Sequence, residues 1–129
     1  MSTGKMIYGV LSTNTAVSAL VSTRIYPLTA PDKTASPYIV YEVMTGNSTQ
    51  RAQSSGNLAR EEILISAYAE TYKGATDLAS AIADALDRLH GTYSGVDVRD
   101  FVSSSYFDAY DNDTAKFCRA THYKATVRA

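Results

Sequence analysis

The chain has 129 residues and a mass of 13.9 kDa, and 45% of its residues are hydrophobic, which suits one ordinary domain with its own core and leaves too little for two. Twelve Lys and Arg against thirteen Asp and Glu leave a net charge of −1, so no positive field exists to hold a polyanion by counterion release, and a dedicated nucleic-acid binder is disfavoured. A single cysteine, Cys118, excludes an intrachain disulfide framework and a zinc site of several thiolates, with a reducing cytoplasm the simpler compartment. The longest apolar stretches fall far short of the roughly 20 residues that span a bilayer, and the N-terminal segment is too polar for a secretory h-region. No membrane partner and no Sec signal are therefore expected.

In chain order, Met6, Val10, Leu11, Val17, Leu20 and Val21 recur at helical spacing, and Thr13-Asn14-Thr15 interrupts them with capping chemistry. One helix ending near Ser12 and a shorter one starting at Thr13 or Asn14 are predicted. Arg24-Ile25-Tyr26-Pro27 leaves the helical pattern, because the residue before a proline is pushed towards extended geometry, and a loop runs on to about Ser36. Pro37 to Thr45 is dense in β-branched and aromatic residues, the strongest strand signal in the chain. From Gly46 to Asn57 come twelve residues with two glycines, two asparagines, three serines and one charge, a flexible connection between strands. Leu58 to Ala69 resumes strand character, with Ile63, Ile65 and Ala67 on one face.

Leu78, Ile82, Leu86 and Leu89 then mark one face of a helix within Thr71 to His90, with Thr71 as its N-cap and Gly91 as the left-handed residue that ends it. Val96 to Ser103 alternates as a third strand, Phe107 to Thr114 reads as a turn-rich acidic loop, and Ala115 to Arg128 as a fourth strand. The order α(α)-β-β-α-β-β predicts a single α+β domain over 1–129, with a four-stranded, mostly antiparallel sheet and helices packed on one face.

No constellation for chemistry stands out. Neither a G-x-G-x-x-G nor a P-loop pattern occurs, and His90 and His122 lack further histidines or cysteines at ligand spacing. His90 suits a helix C-terminus, and His122 a polar strand face. Asp108, Asp111 and Asp113 lack the glycine and closing glutamate of a calcium loop and read as turn chemistry. Glu61 and Glu62 point to opposite faces of one strand, and Cys118 reads as a packing residue. No catalytic residue, cofactor or metal is assigned, and an enzyme is not expected. The aromatic usage is distinctive: ten tyrosines, three phenylalanines and no tryptophan. Tyrosine suits surfaces dry on one side and hydrogen-bonded on the other, so Tyr41, Tyr68, Tyr106 and Tyr110, with His122, are candidates for a subunit interface.

Arg24-Ile25-Tyr26-Pro27, the Ala30-Pro31 turn, Pro37-Tyr38-Ile39-Val40-Tyr41, Ser66-Ala67-Tyr68, the alanine-rich helix ending in Leu86 and Leu89, the Asp108 to Asp111 loop and the last strand together resemble the tail-completion, or tail terminator, proteins of long-tailed bacteriophages. The resemblance covers nearly the whole chain and rests on order and spacing. It implies a non-enzymatic virion protein, assembled in the host cytoplasm, that forms a hexameric ring at the head-proximal end of the tail. Its implied partners are copies of itself, the tail-tube protein and the head-completion or connector protein, with duplex DNA passing through the lumen without specific binding. It also implies a long loop between the first two strands, here Gly46 to Asn57, whose Asn47, Gln50, Arg51, Gln53 and Asn57 are candidates for partner docking. The alternatives are a head-closure or neck connector and, from a different class, a small ligand-binding or enzymatic α+β domain.

Overall fold

The computed structural model describes residues 3–46 and 58–128. Helices α1 (Thr3–Thr13) and α2 (Thr15–Val21) are followed by strands β1 (Ile25–Pro27), β2 (Tyr38–Gly46) and β3 (Leu58–Ala69), helix α3 (Tyr72–Leu86), and strands β4 (Gly91–Tyr93), β5 (Val96–Asp111) and β6 (Lys116–Arg128). Asn14 separates the first two helices and caps the second, its side chain accepting from Val17 N at 3.1 Å. Thr71 caps α3 in the same way, accepting from Gly74 N at 2.9 Å.

The strands form one six-stranded sheet in the order β1-β2-β3-β6-β5-β4, with β1 parallel to β2 and every other pair antiparallel. This overturns the four-stranded, mostly antiparallel sheet with helices laid on one face: the sheet is mixed and curled into a half-barrel. Two three-residue strands account for the difference in number. They are too short to show alternation, and β1 ends in the proline that reads as the start of a loop. The acidic segment 107–111 is also strand, not loop, because it continues the hairpin with β6 to the pair Asp111↔Lys116. Gly91 does not end α3. Arg88 takes the left-handed conformation instead (φ 65°), and its N–H donates to Phe101 O at 2.6 Å, so β5 captures the chain before His90.

The curl follows from what α1 touches. Five inter-strand spacings of about 4.8 Å make a flat sheet about 24 Å wide, more than twice a helix diameter, yet α1 packs on β1 and β2 at one end and on β4 at the other. The ends must therefore bend towards each other. Irregularities in the ladder at Val43/Thr45, Val98/Asp100 and Ser103/Ser105 supply local bends. At Gly9 the helix comes so near the Ser94-Gly95 turn that a methyl group there would stand 3.0 Å from Ser94 Oγ. Inside the curl, Met6, Ile7 and Leu11 meet Leu78, Ile82 and Leu86 of α3 and Ile63, Ile65, Phe101 and Tyr123 of the sheet. Thr3 Oγ1 donates to the buried Glu61 carboxylate at 2.6 Å, tying the start of α1 to β3.

Phe101 is fully buried, its ring 5.3 Å from that of Tyr123, whereas Phe107, six residues along the same strand, is 57% exposed. Phe101→Ala is expected to cost about 3–5 kcal/mol in urea unfolding, and Phe107→Ala to stay within about 0.5 kcal/mol. Similar losses for both would show that the outer half of β5 is also packed.

Candidate interaction surface

β5 is two strands in one. Val96, Val98 and Phe101 are buried, whereas residues 102–110 are exposed throughout, although they remain paired with β6. In this stretch β5 shows side chains of both faces to solvent, while Cys118 and Ala120 of the paired β6 stay buried. Tyr106 is 60% exposed, Phe107 57% and Tyr110 49%, a density of aromatic surface that a solvated hairpin does not need.

One network organises the face turned towards α3. The Thr71 cap sets Tyr72 at the start of α3, and Asp108 and Arg119 face each other across the β5–β6 ladder. Arg119 Nε donates to Asp108 Oδ1 at 2.7 Å and its Nη2 donates to Oδ2 at 3.0 Å, the two-pronged geometry that fits a guanidinium to a carboxylate. Tyr72 Oη donates to Asp108 Oδ2 at 2.7 Å and accepts from Arg119 Nη2 at 3.1 Å. The guanidinium also stands 4.2 Å from the centre of the Tyr106 ring, and Tyr110 packs edge-on to Phe117 at 4.9 Å. Bonds from Arg119 and then from Tyr72 hold the Asp108 carboxyl at about 2, and the Arg119 guanidinium is held charged by Asp108 in return. Tyr72 is pushed up, chiefly by its bond to Asp108.

On the opposite face Tyr38 and Tyr68 stack with ring centres 4.8 Å apart and planes 13° from parallel. Burial first, and Cys118 second, push Tyr68 up to about 12. Cys118 is itself buried opposite Tyr68, and that burial raises its thiol, so the thiolate needed for attack is disfavoured. The tyrosine pair borders an open cavity of about 590 Å³ between the 28–34 loop and the turn after β5, with Lys33, Lys116, Asp111 and Asp113 on its walls.

The residues singled out in the sequence part company here. Tyr41 lies in the core; Tyr68 sits in the stacked pair; Tyr106 and Tyr110 share the exposed face with Arg119. His122, on the Tyr68 face, has Nε2 3.1 Å from Glu62 Oε1 and Nδ1 3.2 Å from Ser104 Oγ. His90 lies beyond the helix it was expected to end, with Nδ1 3.2 Å from Arg88 O. Asp108 belongs to the Arg119 pair, while Asp111 Oδ1 accepts from Asp113 N at 3.0 Å within the turn. Among the described residues no three His, Cys, Asp or Glu side chains are grouped to hold a metal ion, and no helix is long and apolar enough to cross a membrane. Asn47, Gln50, Arg51, Gln53 and Asn57 lie outside the described residues. Sequence reasoning missed Arg119 and placed Tyr72 only among the tyrosines at strand ends; their partner Asp108 was assigned to a loop, and only the full strand register brings the three together.

These features define a structural subunit with an exposed aromatic arm. The family described as tail completion protein gp17 matches residues 5–128, and the chain belongs to that family. It is a family of structural tail proteins of bacteriophages, not of enzymes. A chain in the solved structure titled "Virion of native gene transfer agent (GTA) particle" has the same fold, with a TM-score of 0.79 at 18% identity over 99% of this chain and 96% of that one. No curated protein matches.

Because the folded Asp108 carboxyl takes up its proton less readily than an unfolded one, the contribution of the Arg119 pair is complete above about pH 4 and fades as pH falls towards about 2. In a carboxyl-carbon NMR titration Asp108 is expected to show a midpoint near 2, returning towards the ordinary aspartate value in Arg119→Leu. An unchanged midpoint in that variant would assign the effect to another group.

Proposed function

We infer that the protein is a tail terminator. Copies of the chain close into a ring, expected to be a hexamer, on the last ring of the tail tube, end its polymerisation there, and offer a docking surface to the head connector. The observation that carries this reading is the exposed aromatic hairpin arm, in a chain of the tail completion family: a surface of that kind calls for cover by other subunits.

Size and charge support it. A domain of this length has a radius of gyration of roughly 14 Å, and six touching spheres of that mass distribution enclose a hole of about 36 Å, wide enough for duplex DNA. The net charge of −1 suits a channel through which DNA must slide, since a basic lining would bind phosphates tightly. Tyr106 and Tyr110 are assigned to the contact between subunits. Arg51, with Asn47, Gln50, Gln53 and Asn57, is assigned to docking on the tube.

Particles assembled without this protein are expected to carry tails of irregular length with few joined heads in electron micrographs. Uniform, head-joined tails would refute the reading. Deleting Gln50 to Ser55 is expected to leave the cooperative unfolding transition intact while reducing binding to purified tail tubes, measured by co-sedimentation.

A further inference from the structure

The sheet has two incompletely covered edges, at opposite ends. On one side β1 reaches only from Ile39 to Tyr41 of β2, and Leu28 N donates to Tyr41 O at 2.9 Å, so among the described residues no strand pairs with the outer edge of 42–46. On the other side β4 covers only Val96 to Val98 of β5. Beyond it, Arg88 N reaches Phe101 O and Asp87 Oδ1 accepts from Ser103 N at 3.1 Å, and among the described residues no further strand lies alongside. From Ser105 to Asp111 the ladder with β6 runs without irregularity, so one side of this stretch is a straight edge that no strand pairs with among the described residues.

The register says which backbone groups point outward. Phe101 and Ser103 turn theirs away from β6, towards Arg88 and Asp87. They stand opposite Ala125 and Tyr123, and Tyr106, Asp108 and Tyr110 stand opposite Thr121, Arg119 and Phe117, which continue the same alternation along β6. β6 pairs with β3 without a shift, so the backbone groups of all five β6 residues face β3. Those of Tyr106, Asp108 and Tyr110 therefore face outward, and the same count places Val43 and Gly46 outward on β2.

We propose that residues 105–111 of β5 pair as an added strand with residues 42–46 of β2 in the next copy of the chain, so that one sheet runs from subunit to subunit. The proposal rests on the ring reading above and names the contact that makes the ring. Strand direction selects the occupant. β2, β3, β6 and β5 alternate in direction, so β5 and β2 run oppositely, and rotation about an axis along the strands sets β5 of one copy antiparallel to β2 of its neighbour. Such a head-to-tail contact closes into a ring and leaves neither edge bare. Two β5 strands paired about a two-fold axis centred on Asp108 would set identical carboxylates opposite each other and leave β2 uncovered.

The test uses the full chain, alone and with purified tail tubes, followed by native mass spectrometry and amide hydrogen exchange. On association, the amides of Tyr106, Asp108, Tyr110, Val43 and Gly46 are expected to become protected together, while those of Phe107 and Ala109, already bonded to β6, stay protected throughout. Tyr106→Pro and Tyr110→Pro remove an outward-facing donor together with a ring, whereas Tyr106→Ala and Tyr110→Ala remove the ring alone, so each proline variant is expected to keep the native circular dichroism and to weaken association about tenfold or more beyond its alanine counterpart. Rings whose formation leaves Tyr106, Asp108 and Tyr110 exchanging as in the monomer would overturn the proposal and leave the ring reading standing. Protection of β5 without β2, in a dimer, would overturn the choice of partner strand. A chain that associates neither with itself nor with tubes would overturn both.

Discussion

Helix α1 reaches strands at both ends of a six-stranded sheet, and that contact requires the sheet to bend around it. The remaining architecture depends on this constraint. Gly9 permits the close approach at the Ser94-Gly95 turn, the Thr3 bond to Glu61 fixes where the helix begins, and the core forms inside the curl, with no layer against a flat face. The long β5–β6 hairpin leaves the buried core beyond Phe101. Its inner half is held by apolar burial and its outer half by backbone bonds and cross-strand side chains.

That division explains why the Asp108–Arg119 pair matters where exposed ion pairs ordinarily contribute little. A strand with one buried face is locked in register by that face, but residues 102–110 of β5 have no such lock. A two-pronged guanidinium bond joined by Tyr72 links the arm to α3 and holds its aromatic side chains in a fixed array. The arm is therefore a presented surface and not a loose end.

The legible parts of the sequence were those where burial imposes a period. Leu78, Ile82 and Leu86 announced α3, Ile63, Ile65 and Ala67 announced the inner face of β3, Thr71 announced its cap, and Thr13-Asn14-Thr15 announced the break between the first two helices. Where burial stops, the pattern stops. Residues 102–110 are exposed on both faces, so no alternation separates them from a loop, and Asp108 and Asp111 suggested a turn. The strands β1 and β4 have three residues each, fewer than one alternation can establish, and this hid the mixed sheet. The exposed tyrosines were legible as a class, but only the register separated Tyr106 and Tyr110 on the arm from Tyr41 in the core. Arg119 gave no local signal, since its partner is eleven residues away across a hairpin.

Cys118 lies beneath the side chains of the sheet face opposite the helices, buried and with its thiol held protonated by that burial. A virion component is made in a reducing cell and then spends its working life in oxidising surroundings. An exposed thiolate in such a part would join one particle to another at random. Sunk into the fold, this sulfur passes from one redox environment to the other as an inert piece of packing, and a particle built with it ages without covalent scars at that position.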